Sequence, residues 1–243
     1  NFEGLANYET YRVVFTDTMS KGLTYKDDMK VFVNNVDMTT SFGILIDDYD
    51  GTDADYAGGK VITVECSDIT ALTDANAVQI VLQYSATLND DAKLGAPGNP
   101  NKIKVTTKPD GTGDTPEDVN IVFTYKVVAN KYANAVGEDK KLTGAGFTLY
   151  KWVKNSSAEG GAWVQIGNEV KGVALSTFEW KGIDDGKYKL VETTTPAGYN
   201  TIADIEFTVT ATHDIVSDHP VLTDLSGTAT TGEVTFTASE EAG

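Results

Sequence analysis

Apolar and polar positions alternate in short runs along nearly the whole chain, and Gly, Asn and Asp separate the runs. A period of two sends alternate side chains to opposite faces of a strand, so the pattern predicts half-buried strands and very little helix. Residues 11–17, 78–84, 103–105, 121–129, 147–150, 188–191 and 205–209 read as strands, and 68–74 as the one helical turn. Many short strands punctuated by turns are the signature of an all-β chain of sandwich type. A length of 243 residues suffices for two such domains. The turn-rich stretch 108–116 is the strongest break in the pattern, but strand signals resume at once after it. One long strand over 121–129 is expected to close the first domain and lead into the second, with residues 1–127 forming one sandwich and 128–243 the other.

Two ionisable residues fall in the inward register of these strands. Odd positions Ile121, Phe123, Tyr125, Val127 and Ala129 lead to Lys131, and Tyr188 and Leu190 lead to Glu192. Both side chains are expected to point into a core, where burial pushes a lysine towards the neutral amine and a glutamate towards the neutral acid. A neutral amine is a nucleophile and a protonated carboxyl is a proton donor. Together they have the chemistry to join the lysine to an asparagine side chain as an amide.

Composition narrows the alternatives. A formal net charge of -17 with Arg12 as the single arginine argues against a nucleic-acid partner, which needs clustered Lys and Arg. No apolar run reaches the length of a membrane span. Cys66 alone excludes an intrachain disulfide, and His213 and His219 leave little for a zinc or iron site, so neither metal nor cofactor is expected. An extracellular β protein built this way needs some other staple. No nucleophile with a histidine base and no phosphate loop is present, so the chain does not read as an enzyme. The acidic stretch 47–55 lacks EF-hand spacing, because Ile46 would hold the first ligand position and Ala57 the last, and it reads as a solvated hairpin loop. Asn155-Ser156-Ser157 matches the glycosylation pattern, which carries no meaning if the source is bacterial. The histidines read as loop residues, and Trp152, Trp163 and Trp180 as packing on or over the second sandwich. No signal peptide or sorting tail is evident, so the chain reads as an internal piece of a longer precursor.

Lys131, the segment Leu142-Thr143-Gly144-Ala145-Gly146-Phe147-Thr148-Leu149-Tyr150, and Glu192 four residues ahead of Pro196-Ala197-Gly198-Tyr199 form a recognisable series. The series resembles the collagen-adhesin B-type domain of sortase-assembled backbone pilins from Gram-positive bacteria. The first half is similar to the preceding domain of those pilins, through Asp17-Thr18-Met19-Ser20-Lys21-Gly22-Leu23-Thr24-Tyr25, Tyr84-Ser85-Ala86-Thr87-Leu88-Asn89 and Gly98-Asn99-Pro100-Asn101. The resemblance implies two tandem Ig-like sandwiches, each closed by an intramolecular Lys–Asn isopeptide bond formed with the help of an acid. It makes Lys131 the amine and Glu192 the assisting acid of the second domain, and Asp17 the acid of the first. The register agrees for Asp17, which shares a face with Tyr11, Val13 and Phe15. Asn101, in phase with Ile103 and Val105, is the choice for the first domain's amide, and Asn99 has the same parity and stays open as a rival.

The resemblance also implies a lysine on a strand before Asn1 and an asparagine on a strand after Gly243, so each domain is expected to lack one terminal strand. No asparagine follows Asn200. Asp214, Asp218 and Asp224 are carboxyl alternatives for Lys131. The implied role is a structural subunit of a cell-wall-anchored extracellular pilus, joined covalently by sortase to neighbouring pilin subunits. The alternative is a cell-wall-anchored adhesin that presents the same domains to a host or matrix ligand.

Overall fold

A computed structural model describes residues 1–107, 113–155, 160–216, 219–230 and 234–243. The chain is almost entirely β, with two tandem sandwiches and, among the described residues, four short 3-10 turns at Leu5–Asn7, Thr39–Ser41, Ile69–Ala71 and Glu138–Lys140. The turn expected near residue 68 is the third of these. Asp68 caps it by accepting from the Thr70 amide at 3.0 Å. Among the described residues no helix is long and apolar enough to cross a membrane. Contacts divide the chain into two compact units. The first comprises Asn1–Lys93, Gly98–Val122 and Ile215–Pro220, and the second Leu94–Pro97, Phe123–Asp214 and Val221–Gly243.

The first unit is built on β1 (Val13–Met19), β2 (Lys30–Val33), β3 (Gly43–Asp48), β4 (Lys60–Cys66), β5 (Ile80–Gln83), β6 (Asn99–Thr107) and β7 (Asp118–Val122). One antiparallel sheet runs β7-β6-β1-β4-β3, and β2 pairs β5 in a second. β1 sits at the centre of the larger sheet and is rich in β-branched and aromatic residues, which suits a strand covered on both faces. β4 alternates cleanly, with Ile62, Val64 and Cys66 buried, and these three lie opposite Asp17, Phe15 and Val13 of β1. Val31 and Val33 complete the core from the second sheet.

Two expected strands are interrupted for reasons that alternation does not register. Residues 78–84 split at Gln79: Ala77–Val78 pairs with Phe2–Glu3, and β5 pairs with β2. Gln79 makes the switch, donating its amide to Asn34 Oδ1 and accepting from the Asn34 amide. The single strand expected over 121–129 is likewise two. β7 ladders with β6, and β8 (Tyr125–Asn130) ladders with another strand in the second unit, described next. Thr124 between them is buried and donates its hydroxyl to the Ile183 carbonyl at 2.9 Å.

The second unit contains β8, β9 (Gly146–Lys154), β10 (Gly161–Lys171), β11 (Thr177–Ile183), β12 (Gly186–Thr194), β13 (Ile205–Asp214) and β14 (Val221–Ala229). Five strands run in the order β10-β9-β12-β13-β14, and β8 pairs β11. Phe147, Leu149, Phe178, Tyr188, Leu190 and Phe207 make the centre of its core. Phe147 meets Phe178 edge to face at 4.8 Å, and Tyr188 stacks on Phe207 at 5.7 Å. A bulge between β9 and β12 pairs Gly146 with Thr194 but Phe147 with Glu192, leaving Thr193 as the extra residue. Gly146 is required there, since a Cβ would lie 2.6 Å from Glu169 Oε1 and 2.9 Å from both Lys171 and Thr194.

Ile62 is fully buried in the first unit's core. Ile62→Ala is expected to destabilise the first unit by about 2–5 kcal/mol, read as a lowered urea midpoint for that unit's transition with the second unit's unchanged.

Candidate functional site

Asp17 is buried in the middle of the first unit's larger sheet. Its cross-strand partner on β6 is Ile103, so Asn101, two residues earlier on the same face, reaches it diagonally. Asn101 Nδ2 donates to Asp17 Oδ2 at 3.2 Å and to the Tyr84 hydroxyl at 2.9 Å, and Tyr84 in turn donates to Asp17 Oδ2 at 3.0 Å. The three side chains thus close a triangle around one carboxylate oxygen. The other ends, Asp17 Oδ1 and Asn101 Oδ1, are buried without a hydrogen bond. Desolvation pushes the Asp17 carboxyl above its ordinary value of 3.8, and the bonds from Asn101 and Tyr84 pull it partly back.

Asn99 has a different setting. Its Nδ2 donates to the carbonyls of Lys93 and Val122, and its Oδ1 accepts from the Lys93 amide at 2.9 Å. That side chain is consumed in tying a loop to the end of β7. The structure brings Asn101, and not Asn99, to Asp17.

Tyr84 was not singled out in the sequence for this role. It lies one residue past β5, in phase with the inward Ile80 and Leu82, and arrives from the sheet opposite Asp17. The phase is visible in the sequence, but the meeting of the two sheets is not.

In the second unit Glu192 continues the inward register of Tyr188 and Leu190, and its side chain is 0% exposed. Lys131 follows β8 in the phase of Tyr125, Val127 and Ala129, with a side chain 10% exposed and Nζ 3.0 Å from Glu192 Oε1. The lysine backbone is held on both sides, donating to the Ser176 carbonyl and accepting from the Leu142 amide. Glu192 Oε2 accepts from the Ile202 amide at 2.8 Å. Oε1 makes no hydrogen bond of good geometry, so its contact with Nζ is a charge pair. The Phe147 ring, opposite Glu192 in the ladder, lies 5.9 Å from Nζ.

The other candidates lie elsewhere. Asn200 is exposed just past the turn in which the Tyr199 amide bonds the Pro196 carbonyl. Asp214 and Asp224 are exposed on β13 and β14, and Asp218 lies outside the described residues. The carboxylates of the acidic loop serve its own turns and surface pairs: Asp48 meets Lys60, Asp55 meets Lys93, and Asp53 bonds the Asp55 amide. Among the described residues no group of three or more His, Cys, Asp or Glu is placed to hold a metal ion. Cys66 is buried. His213, expected in a loop, is instead on β13, where its ring lies against Phe123 and its Nε2 is 2.8 Å from the Tyr125 hydroxyl. The strand pattern is weakest there because Thr212 and His213 flank a register shift. Trp180 is core, whereas Trp152 and Trp163 are half-buried against each other beneath Lys187. Of the glycosylation pattern, Ser156 and Ser157 lie outside the described residues, as do residues 108–112 of the turn-rich stretch.

Comparison with known proteins gives two family matches, end to end. Residues 3–109 match the Gram-positive pilin backbone subunit 2, Cna-B-like domain, and residues 126–219 match the SpaA prealbumin-like fold domain. The chain is 26% identical over 218 residues to the trypsin-resistant surface T6 protein of Streptococcus pyogenes serotype M6, an alignment that covers 77% of this chain and 36% of that protein. The chain therefore spans just over a third of that curated relative. Among solved structures it is similar to the T6 backbone pilin of S. pyogenes, with a TM-score of 0.56 at 22% identity, covering 84% of this chain and 45% of that one. It is also similar to a C-terminal fragment of the major pilin GBS80 of Streptococcus agalactiae, with a TM-score of 0.53 at 22% identity over 84% and 80% of the two chains. The Corynebacterium diphtheriae major pilin SpaA, whose structure points to a modular pilus assembly with stabilising isopeptide bonds, gives 0.56 at 11% identity over 89% and 58%. At these identities the structural likenesses establish the fold.

The raised Asp17 carboxyl has a signed consequence. A folded-state value above the unfolded one means that the unfolded chain releases its proton first as pH rises. The contribution of Asp17 to stability is therefore greatest below 3.8 and declines as pH climbs towards the raised value. Asp28, Asp37, Asp48 and Asp68 are held low, chiefly by hydrogen bonds, and act in the opposite sense, losing stability as pH falls. Denaturant unfolding across a pH series is expected to show that the stability of the first unit relative to Asp17→Asn declines as pH rises above 3.8. The difference from wild type isolates the buried acid, because the surface carboxylates are common to both.

Proposed function

We propose that this chain is a segment of a Gram-positive pilin backbone subunit, an extracellular component of a cell-wall-anchored pilus, and that its work is mechanical: each sandwich staples itself with a Lys–Asn isopeptide bond. One repeated observation carries the reading. Each unit buries a carboxyl against one half of the amide-forming pair, Asp17 against the Asn101 carboxamide and Glu192 against the Lys131 amine. On this reading the lysine that completes the first unit and the asparagine that completes the second would be supplied from outside these 243 residues.

The chemistry balances without any cofactor. The neutral lysine nitrogen attacks the carboxamide carbon, a C–N bond forms, and the bond to the original amide nitrogen breaks. The proton lost by the amine passes by way of the acid to the departing nitrogen, which leaves as ammonia. Amine attack on an amide is slow in water, and holding the groups in contact is worth about 7–11 kcal/mol of barrier. In the first unit the acid serves while neutral, a form that burial of Asp17 favours. Both reacting side chains are consumed, so the reaction is self-modification, not turnover.

The finished bond acts on stability as a disulfide does, restricting the unfolded chain by about 2–4 kcal/mol, but no reductant opens it. A staple between terminal strands also diverts pulling force from the hydrogen-bonded ladder into a covalent bond. That property suits a shaft subunit joined by sortase to its neighbours more directly than an adhesin face.

Intact mass spectrometry of the full-length subunit is expected to show a deficit of one ammonia for each bond formed. Asp17→Ala and Glu192→Gln should each keep the fold and each abolish one deficit. A wild-type mass equal to that calculated from sequence, with both domains folded, would sink the proposal.

A further inference from the structure

We propose that Tyr84 sets the reacting orientation of the Asn101 carboxamide, directing its leaving nitrogen onto Asp17 and its carbonyl oxygen away, an inference that rests on the cross-linking reading of the first unit. A carboxamide has two ends of similar size, and a buried acid alone does not choose between them: a protonated carboxyl donates to the oxygen, and an ionised one accepts from the nitrogen. The triangle removes this freedom. The single hydroxyl proton of Tyr84 is committed to Asp17 Oδ2, so towards Asn101 the phenol oxygen acts only as an acceptor. Only the Nδ2 end of Asn101 donates, and it lies 2.9 Å from Tyr84 and 3.2 Å from Asp17 Oδ2.

The arrangement tolerates either charge state of the acid. Both incoming bonds end on Oδ2, and a proton carried on Oδ1 disturbs neither. Burial and the neighbouring Asp17 hold the Tyr84 phenol well above its usual value, so it stays protonated and keeps its donor role. The result is a carboxamide whose nitrogen already contacts the acid that must supply its proton. The carbonyl oxygen, buried without a hydrogen bond, is on the other side. Bond formation then proceeds with the balance given above: the incoming lysine nitrogen loses one proton, Nδ2 gains one, and ammonia departs from the side that Tyr84 and Asp17 define.

Neighbouring Tyr25 supplies the control. Its ring packs edge-on to Tyr84 at 5.6 Å, but its hydroxyl accepts from the Met29 amide and does not touch Asn101. Tyr84→Phe keeps the ring and removes only the hydroxyl. Two measurements apply. In the full-length subunit, Tyr84→Phe is expected to slow loss of the first domain's ammonia by roughly tenfold, the scale of one hydrogen bond, while Tyr25→Phe matches wild type. In the chain itself, nitrogen-resolved hydrogen exchange of the Asn101 Nδ2 group is expected to quicken by roughly tenfold in Tyr84→Phe and not in Tyr25→Phe. Unfolding midpoints verify that each variant is folded. An unchanged cross-linking rate, or unchanged exchange at Nδ2, overturns the role of Tyr84. A wild-type subunit that never loses the ammonia instead overturns the cross-linking reading of this unit, and the exchange comparison still decides what orients Asn101.

Discussion

A carboxyl group forced into an apolar interior is the constraint around which both sandwiches are arranged. Placing such a group there is costly unless something answers it. The two units answer differently. The first surrounds one oxygen of Asp17 with neutral donors, a carboxamide and a phenol, while the second sets a lysine amine and a backbone amide against Glu192. In each, one oxygen is well served and the other is left without a hydrogen bond of its own. A fold selected for stability alone would place an apolar residue at either position. The retained acids are easier to understand as reagents than as supports.

The surroundings make these positions stiff. Asp17 lies on a strand buried along nearly its whole length, with Ile62 opposite on one side and Ile103 on the other. Glu192 lies between Leu190 and a bulge, facing Phe147. Reactive groups carried on central strands move little. On the proposed reading, the proximity that speeds amide exchange is supplied largely by the sheets that carry Asp17, Asn101 and Glu192.

How far the molecule was legible from its residues depended on whether the deciding interaction was local. The phase of Lys131 and Glu192 follows from alternation within single strands, and so does that of Asp17 and Asn101. Their pairing across strands came from resemblance, since alternation carries no information about which strands are neighbours. Tyr84 escaped notice because its significance arises between sheets. The alternation through Phe123 and Thr124 continues without a fault, so the break there became visible only when β7 and β8 proved to have different partners. At Gln79 the switch between sheets is made by a bond to Asn34, which is 45 positions away in the chain. The equal parity of Asn99 and Asn101 was a real ambiguity, and the loop contacts of Asn99 resolve their placement.

The bulge at Thr193 bears on the history that such a domain can have. The residue belongs to no ladder pair, so it adds length to the strand, and its hydroxyl bridges to Thr148 and Glu169. Losing it would shorten by one residue the path from Glu192 to Ile202, whose amide gives that acid its one well-formed hydrogen bond. On the cross-linking reading, the ten positions from Glu192 to Ile202 are therefore a length to be kept, because they set where that amide meets the acid.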